Sequence, residues 1–227
     1  MVEIKNVTKK YDNSKGIFDV SLSIEDNTIH ALIGINGAGK STLIKCLTTN
    51  IRKFEGEILI DGEDNFKKTA KRNLAFLPEV VQPHEIFTGM EFLEYNVLLN
   101  DESVDLGYVE YLCERLEFDK SNLKRAIKTY SKGMRQKISL IATIATKAKH
   151  LILDEPMSGL DPLARKNLKN LLMELKNERT IFFASHILAE VDEMADVISI
   201  MHNGNLVFSG AVDSDLEAFF INKIKDG

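Results

Sequence analysis

Short apolar runs of alternating polarity mark the first part of the chain. Between Met1 and about Leu32, the run Val2 to Val7, the run Phe18 to Ile24 and a third closing on His30-Ala31-Leu32-Ile33 alternate with polar turns. Gly56 to Gly62 adds a further strand that ends on an Asp-Gly turn. Period-two alternation bounded by turn residues predicts strands, here an antiparallel edge. The third run also leads straight into a glycine-rich turn and the helical stretch Lys40 to Leu47, the strand–turn–helix order of a parallel α/β core. After a strand at Asn73 to Pro78, helical spacing takes over from about Thr88 to Thr146. Strand–helix alternation resumes with His150 to Asp154, a helix from roughly Pro162 to Lys176, a strand at Thr180 to Ser185 and a helix from Ile187 to Met194. Two strands about the Asn203-Gly204 turn and a short helix over 213–220 close the chain. The predicted fold is α/β: a mainly parallel sheet, an antiparallel β subdomain and a helical subdomain inserted at about 80–147, all in one domain spanning 1–227.

Composition narrows the partners. A chain of 227 residues suffices for one ordinary α/β domain, with roughly 70% of its unfolded surface available for burial. Its 44% hydrophobic and 28% charged residues are the balance of a soluble globular protein and exclude disordered and fibrous classes. A net charge of −5 provides no overall basic field to draw the chain to nucleic acid or anionic lipid. No apolar run approaches the ~20 residues that span a bilayer. The amino terminus lacks the apolar core of a signal peptide, so a cytoplasmic location is expected. Cys46 and Cys113 stand far apart with no C-x-x-C pattern and are expected to be buried free thiols.

The segment Gly34-Ile35-Asn36-Gly37-Ala38-Gly39-Lys40-Ser41, followed by Thr42, fits G-x-x-x-x-G-K-[ST] between a predicted strand and a predicted helix. Chance supplies such a string in roughly one chain of this length in a hundred, before the context is considered. Its glycines allow backbone N–H groups to turn toward phosphate oxygens, and the helix amino terminus adds positive potential. Lys40 is placed to reach the β and γ phosphates, and Ser41 to ligate Mg²⁺. A second requirement, a carboxylate ending a buried strand, is met by Leu151-Ile152-Leu153-Asp154-Glu155. Asp154 is the expected magnesium ligand. Glu155, one residue further, is the expected acceptor of a proton from the water that attacks the γ-phosphate.

In motif order the chain resembles the nucleotide-binding subunit of ATP-binding cassette (ABC) transporters over nearly its whole length. Tyr130-Ser131-Lys132-Gly133-Met134 resembles the family's signature segment, and Ser158-Gly159-Leu160-Asp161 resembles its D-loop. His186 after Phe182-Phe183-Ala184-Ser185 resembles the switch histidine, and Tyr11 stands where the family places its adenine-stacking aromatic. The resemblance implies a P-loop NTPase core and ATP with Mg²⁺ as cofactors. It also implies two subunits, alike or different, that sandwich two nucleotides head to tail. Each site would combine Lys40, Asp154, Glu155 and His186 of one chain with Ser131 and Gly133 of the other, with Asp161 beside the nucleotide. Lys132 and Met134 depart from the usual Gly and Gln of the signature. Glu79, in Leu77-Pro78-Glu79, replaces the usual Gln, and its carboxylate still offers an oxygen to nucleotide-bound magnesium.

These variants, with the segments around Leu160 to Lys176 and Ser185 to Asp196, resemble the bacterial exporter branch whose ATPase and membrane subunits are separate polypeptides. The implied partners are a permease and a second ATP-binding subunit, which would hold this chain at the inner face of the cell membrane. The competing function is an ABC ATPase that works on ribosomes, DNA or protein assemblies. A third, a module that binds nucleotide without hydrolysing it, is disfavoured by the full set Lys40, Ser41, Asp154, Glu155 and His186. The basic stretch of Lys120, Lys124, Arg125, Lys128, Lys132, Arg135 and Lys137 reads first as a solvated face. Its functional alternative is a local potential that offsets triphosphate across the dimer interface, with no nucleic acid involved.

Overall fold

The computed structural model describes residues 1–11, 15–100, 102–212 and 215–226. Strands β1 (Val2–Lys10) and β2 (Gly16–Ile24) pair antiparallel, and β3 (Ile29–Ile33) comes next, leading into helix α1 (Lys40–Leu47). Then come β4 (Glu55–Ile60), the two-residue β5 (Glu63–Asp64), the short α2 (Lys68–Arg72) and β6 (Leu74–Leu77). Helices α3 (Gly89–Leu99), α4 (Leu106–Arg115) and α5 (Lys132–Ala145) occupy the stretch before β7 (His150–Asp154), with two 3₁₀ turns at Lys120–Lys124 and Ile127–Thr129. The remainder runs α6 (Pro162–Leu175), β8 (Thr180–Ser185), α7 (Leu188–Asp192), β9 (Val197–His202), β10 (Asn205–Gly210) and α8 (Leu216–Asp226).

The strands form two sheets, one antiparallel in the order β2-β1-β4-β5 and one of six strands in the order β10-β9-β3-β8-β7-β6. In the larger sheet β3, β6, β7, β8 and β9 are parallel and only β10 runs antiparallel, against β9. The run ending at Ile33, grouped from sequence with the first strands and also read as the strand leading into a parallel α/β core, lies in the middle of the parallel sheet. Its five residues are all buried, the pattern of a strand covered on both faces.

Period two divides each central strand between two cores. Ala31, Ile33, Leu153, Ile181 and Phe183 face the cluster built with α3 to α6. Leu32, Ile152, Phe182 and Ala184 face a second cluster containing Val2, Ile4, Val20, Ile58 and the α1 residues Leu43, Ile44 and Leu47. The phosphate-loop helix is therefore clamped between the two sheets. Cys46 and Cys113 are free and buried, one in each cluster, and burial pushes both thiols up to about 11.

Helix starts follow their capping residues. Thr88 and Glu91 form a reciprocal capping box at α3, and Asp105, Ser131 and Asp161 cap α4, α5 and α6 by accepting from Tyr108, Met134 and Ala164 N–H. The last helix reaches Asp226, beyond the short helix read over 213–220, because apolar spacing continues through Phe219, Phe220 and Ile224; Asp213 and Ser214 lie outside the described residues. The basic stretch is partly neutralised within the chain: Lys120 pairs with Glu110 at 3.1 Å and Arg135 with Glu85 at 3.0 Å. Among the described residues no helix is long and apolar enough to cross a membrane.

Phe182 ties the central strand to the cluster around α1 and is fully buried, with its ring edge-to-face with His30 at 5.5 Å. Phe182→Ala is expected to lower the unfolding free energy by ~3–5 kcal/mol, seen as a lower urea midpoint at unchanged slope.

Candidate functional site

Parallel register brings three loops to one end of the large sheet. Ile33 of β3 is level with Ser185 of β8, and Ala184 of β8 is level with Asp154 of β7. The segments that leave these strands, Gly34 to Lys40, Glu155 and His186, therefore emerge side by side, at the strand carboxyl ends where open α/β sheets hold ligands.

The loop from Gly34 to Gly39 turns back on itself through an Ala38 N–H bond to the Ile35 carbonyl (3.1 Å) and enters α1 with Gly39 at φ 108°. That conformation belongs to glycine, and a Cβ there would also stand 2.7 Å from the Ile17 methyl. A second turn braces the loop from outside: Gly204 N–H donates to the Ala38 carbonyl (3.0 Å), and Phe18 N–H donates to the Gly204 carbonyl (2.9 Å). α1 has no acidic residue in its first turn, which leaves its amino-terminal potential for an anion. Lys40 is 7% exposed, and its ammonium donates to the Gly34 carbonyl at 2.7 Å. Burial lowers its pKa, against the opposing pull of Glu155, Asp154 and Glu79.

Asp154 is buried at the end of β7, and its Oδ1 has no hydrogen-bond partner among the described residues. Burial raises its pKa; Glu79 and Glu155 add to this, while the Ser41 hydroxyl and Lys40 only partly offset it. A buried carboxylate with an open oxygen beside a serine hydroxyl suits a hard divalent cation, so Ser41 and Asp154 fit Mg²⁺.

Glu155 sits at φ 50°, a left-handed conformation costing a non-glycine residue roughly 1 kcal/mol or more. It is held there by its N–H bond to the Ala184 carbonyl (3.0 Å). The turn places Glu155 Oε1 2.9 Å from His186 Nδ1, across 31 residues of sequence.

Lys40, Ser41, Glu155 and His186 border an open cleft of about 700 Å³, whereas Gly34 and the buried Asp154 are not in its lining. Of the residues singled out from sequence, Tyr11, Asn36, Gly37, Ala38, Gly39, Lys40, Ser41, Thr42, Glu79, Glu155 and His186 line it. Tyr11 is 58% exposed at the rim, with the Lys9 ammonium 5.5 Å from its ring centroid. Lys15, Gly16, Asn203 and Gly204 also line the cleft and escape the sequence reading. The Asn203-Gly204 turn is legible as a hairpin, but nothing local to it points toward a loop more than 160 residues earlier.

Ser131, Gly133 and Asp161 do not border this cleft. They belong to a second assembly in which the start of α5 packs on the loop after Glu155. A Cβ on Gly133 would stand 3.6 Å from the Gly159 carbonyl oxygen, Gln136 donates to the Pro156 carbonyl at 3.1 Å, and the Lys132 stem lies beside Gly159. Asp161 is exposed, and the Ala164 N–H that it accepts holds its carboxyl below the usual range.

A glycine-bounded anion loop, a buried lysine, a cation-ready aspartate and a glutamate–histidine pair at the ends of parallel strands define a P-loop nucleotide-binding protein. The comparisons with known proteins agree and are narrower: the profile of the ABC transporter family matches residues 17–158. Over 99% of its length the chain is 30% identical to the lantibiotic transport ATP-binding protein SrtF of Streptococcus pyogenes, spanning 97% of that protein. It is 31% identical over 91% of its length to the bacitracin transport ATP-binding protein BcrA of Bacillus licheniformis, spanning 68% of it. It spans about two thirds of the length of other curated relatives that it matches. A solved structure of an ATP-binding subunit of an ABC transporter superposes with a TM-score of 0.89 at 27% identity, over 98% of this chain and 99% of that one. The chain belongs to the ABC transporter family and is an ABC-type ATPase.

Because Asp154 is a buried carboxylate of raised pKa, the folded chain binds its proton more tightly than the unfolded chain does. Its contribution to stability therefore falls as pH rises through the window above 3.8, the ordinary value for an aspartate. Asp154→Asn is expected to stabilise the metal-free chain by ~1 kcal/mol at neutral pH while abolishing the Mg²⁺ dependence of nucleotide affinity. Thermal melts and nucleotide titrations with and without Mg²⁺ check both effects.

Proposed function

We propose that this chain binds ATP with Mg²⁺ and that two ATP-binding subunits close head to tail on two nucleotides to power an exporter. The observation that carries the reading is the separation of two half-sites in one chain. The phosphate loop from Asn36 onward, Glu155 and His186 share a cleft that neither Ser131 nor Asp161 borders, and Asp154 is buried one residue before Glu155. Ser131 begins a helix of 14 residues, whose amino-terminal N–H groups suit an anion brought by a neighbour. Closure of two copies would set the Ser131 and Gly133 of one against the γ-phosphate held by the other, and removal of that phosphate would release the halves.

Within the cleft, the loop N–H groups and Lys40 hold the phosphates, and Tyr11 supports the base. Ser41, Asp154 and Glu79 would hold the magnesium, which supplies charge neutralisation on the phosphate oxygens. Glu155 accepts the proton of the attacking water, and His186 orients Glu155 through the contact already present between them. Export is supported by the likeness to SrtF and BcrA, whose names state lantibiotic and bacitracin transport. The proposed setting is the cytoplasmic face of the membrane, reached through a permease on a separate polypeptide, with substrate choice in the permease.

Glu155→Gln is expected to retain ATP binding, lower turnover by about 10²-fold or more (~2.7 kcal/mol of barrier) and trap a dimer in Mg-ATP. Steady-state ATPase and sizing check it, and near-normal turnover would remove Glu155 from the base role. Lys40→Ala chains and Ser131→Arg chains are each expected to be nearly inactive alone and to recover activity on mixing, because one composite site then carries both lesions and the other neither. Proven mixed dimers without recovery would defeat the shared-site reading. Where the natural assembly pairs two different subunits, the mixture is made with that partner.

A further inference from the structure

A partly buried polar chain joins α6 to α7. Arg165 on α6 donates from Nε to the Leu160 carbonyl at 3.0 Å and from Nη1 to Glu190 Oε1 on α7 at 3.3 Å. Glu190 is 8% exposed. Its other oxygen, Oε2, faces the Ser185 hydroxyl at 3.4 Å, and Ser185 Oγ in turn accepts the Ile187 N–H at 3.1 Å. Ser185 and Ile187 flank His186, whose Nδ1 meets Glu155. The path therefore joins the loop at 158–161 to the turn that carries His186. It passes through one ion pair between residues 25 apart in sequence.

The arrangement is asymmetric in burial. The Arg165 side chain is 38% exposed, whereas the Glu190 side chain is 10% exposed. Glu190 has little access to water, so loss of the arginine leaves a largely buried carboxylate held only by the Ser185 hydroxyl and the more distant Lys169, which favours its moving or taking up a proton. Either response acts first on Ser185 and Ile187, because α7 is only five residues long and its start, Ile187, has no side-chain cap. α7 is otherwise anchored by Val191 in the core.

We propose that Arg165 and Glu190 are a positioning pair. They fix the His186 turn relative to the 158–161 loop, so that rearrangement of this loop on subunit closure sets where His186 stands beside Glu155. Neither member of the pair lines the nucleotide cleft. The pair acts through His186, and the inference rests on the proposed roles of Glu155 and His186.

The test uses the full chain and two readouts. In the first, imidazole signals of the five histidines are recorded by NMR, with His186 assigned from His186→Gln. Glu190→Gln and Arg165→Met are expected to shift the His186 ring signals and leave those of His84, far along the chain, in place, while Arg165→Lys restores most of the wild-type position. In the second, ATPase is measured for Glu190→Gln alone and combined with His186→Ala. Glu190→Gln alone is expected to lower kcat about tenfold with KM for ATP within about twofold. In the His186→Ala background it is expected to change kcat by less than about twofold, since the group it positions is gone. Unmoved His186 signals in both variants, or independent losses that multiply in the double variant, would overturn the positioning role. If His186→Ala left turnover intact, the catalytic reading of His186 would fall, and the NMR arm would still decide whether the pair sets its place.

Discussion

The parallel register of β3, β8 and β7 is the constraint on which the rest of the molecule depends. With Ile33 level with Ser185 and Ala184 level with Asp154, three loops of unrelated sequence leave the sheet at the same height. A slip of one residue in any pair would exchange the two buried faces, sending Phe182 to the side of Phe183 and turning Asp154 away from Ser41. Since both faces of the sheet are packed, that slip is prohibited by the same apolar burial that stabilises the fold. Positional precision at the cleft thus comes from the core, with few bonds inside the cleft itself.

Local costs concentrate where that precision is used. Asp154 keeps a buried oxygen with no partner among the described residues, Glu155 adopts a left-handed backbone just before Pro156, and Lys40 holds its ammonium against a carbonyl in a mostly buried setting. Each feature opposes stability in the free chain, and under the proposed function an anion and a cation bound together would relieve or use it. The two sheets and α1, fixed by Leu43, Ile44 and Leu47, absorb these costs.

The second assembly, around Ser131, Gly133 and Asp161, obeys a different physical logic. It is built from helix starts and their capping residues, lies away from the cleft, and is packed on the loop after Glu155. A change at that loop therefore has two mechanical outlets, toward α5 through Gln136 and toward His186 through Arg165 and Glu190. This supports a reading in which contact between subunits and placement of the chemical groups are linked events.

Features that depend on neighbours along the chain are legible in the order of residues. The phosphate loop is one, because its glycines, lysine and serine act within eight consecutive residues, and Asp154 with Glu155 is another because the two acids end an apolar strand. The capped starts at Ser131 and Asp161, the Asn203-Gly204 hairpin and the helical stretch before β7 are legible for the same reason. Packing in three dimensions was needed to set the run ending at Ile33 between β9 and β8, to wall the cleft with Lys15 and the Asn203-Gly204 turn, and to bring Glu155 to His186. The same holds for the ion pair between Arg165 and Glu190. Periodicity reports which residues are buried but not which strands become neighbours. That choice is made by side chains from two sheets and several helices filling the same two cores.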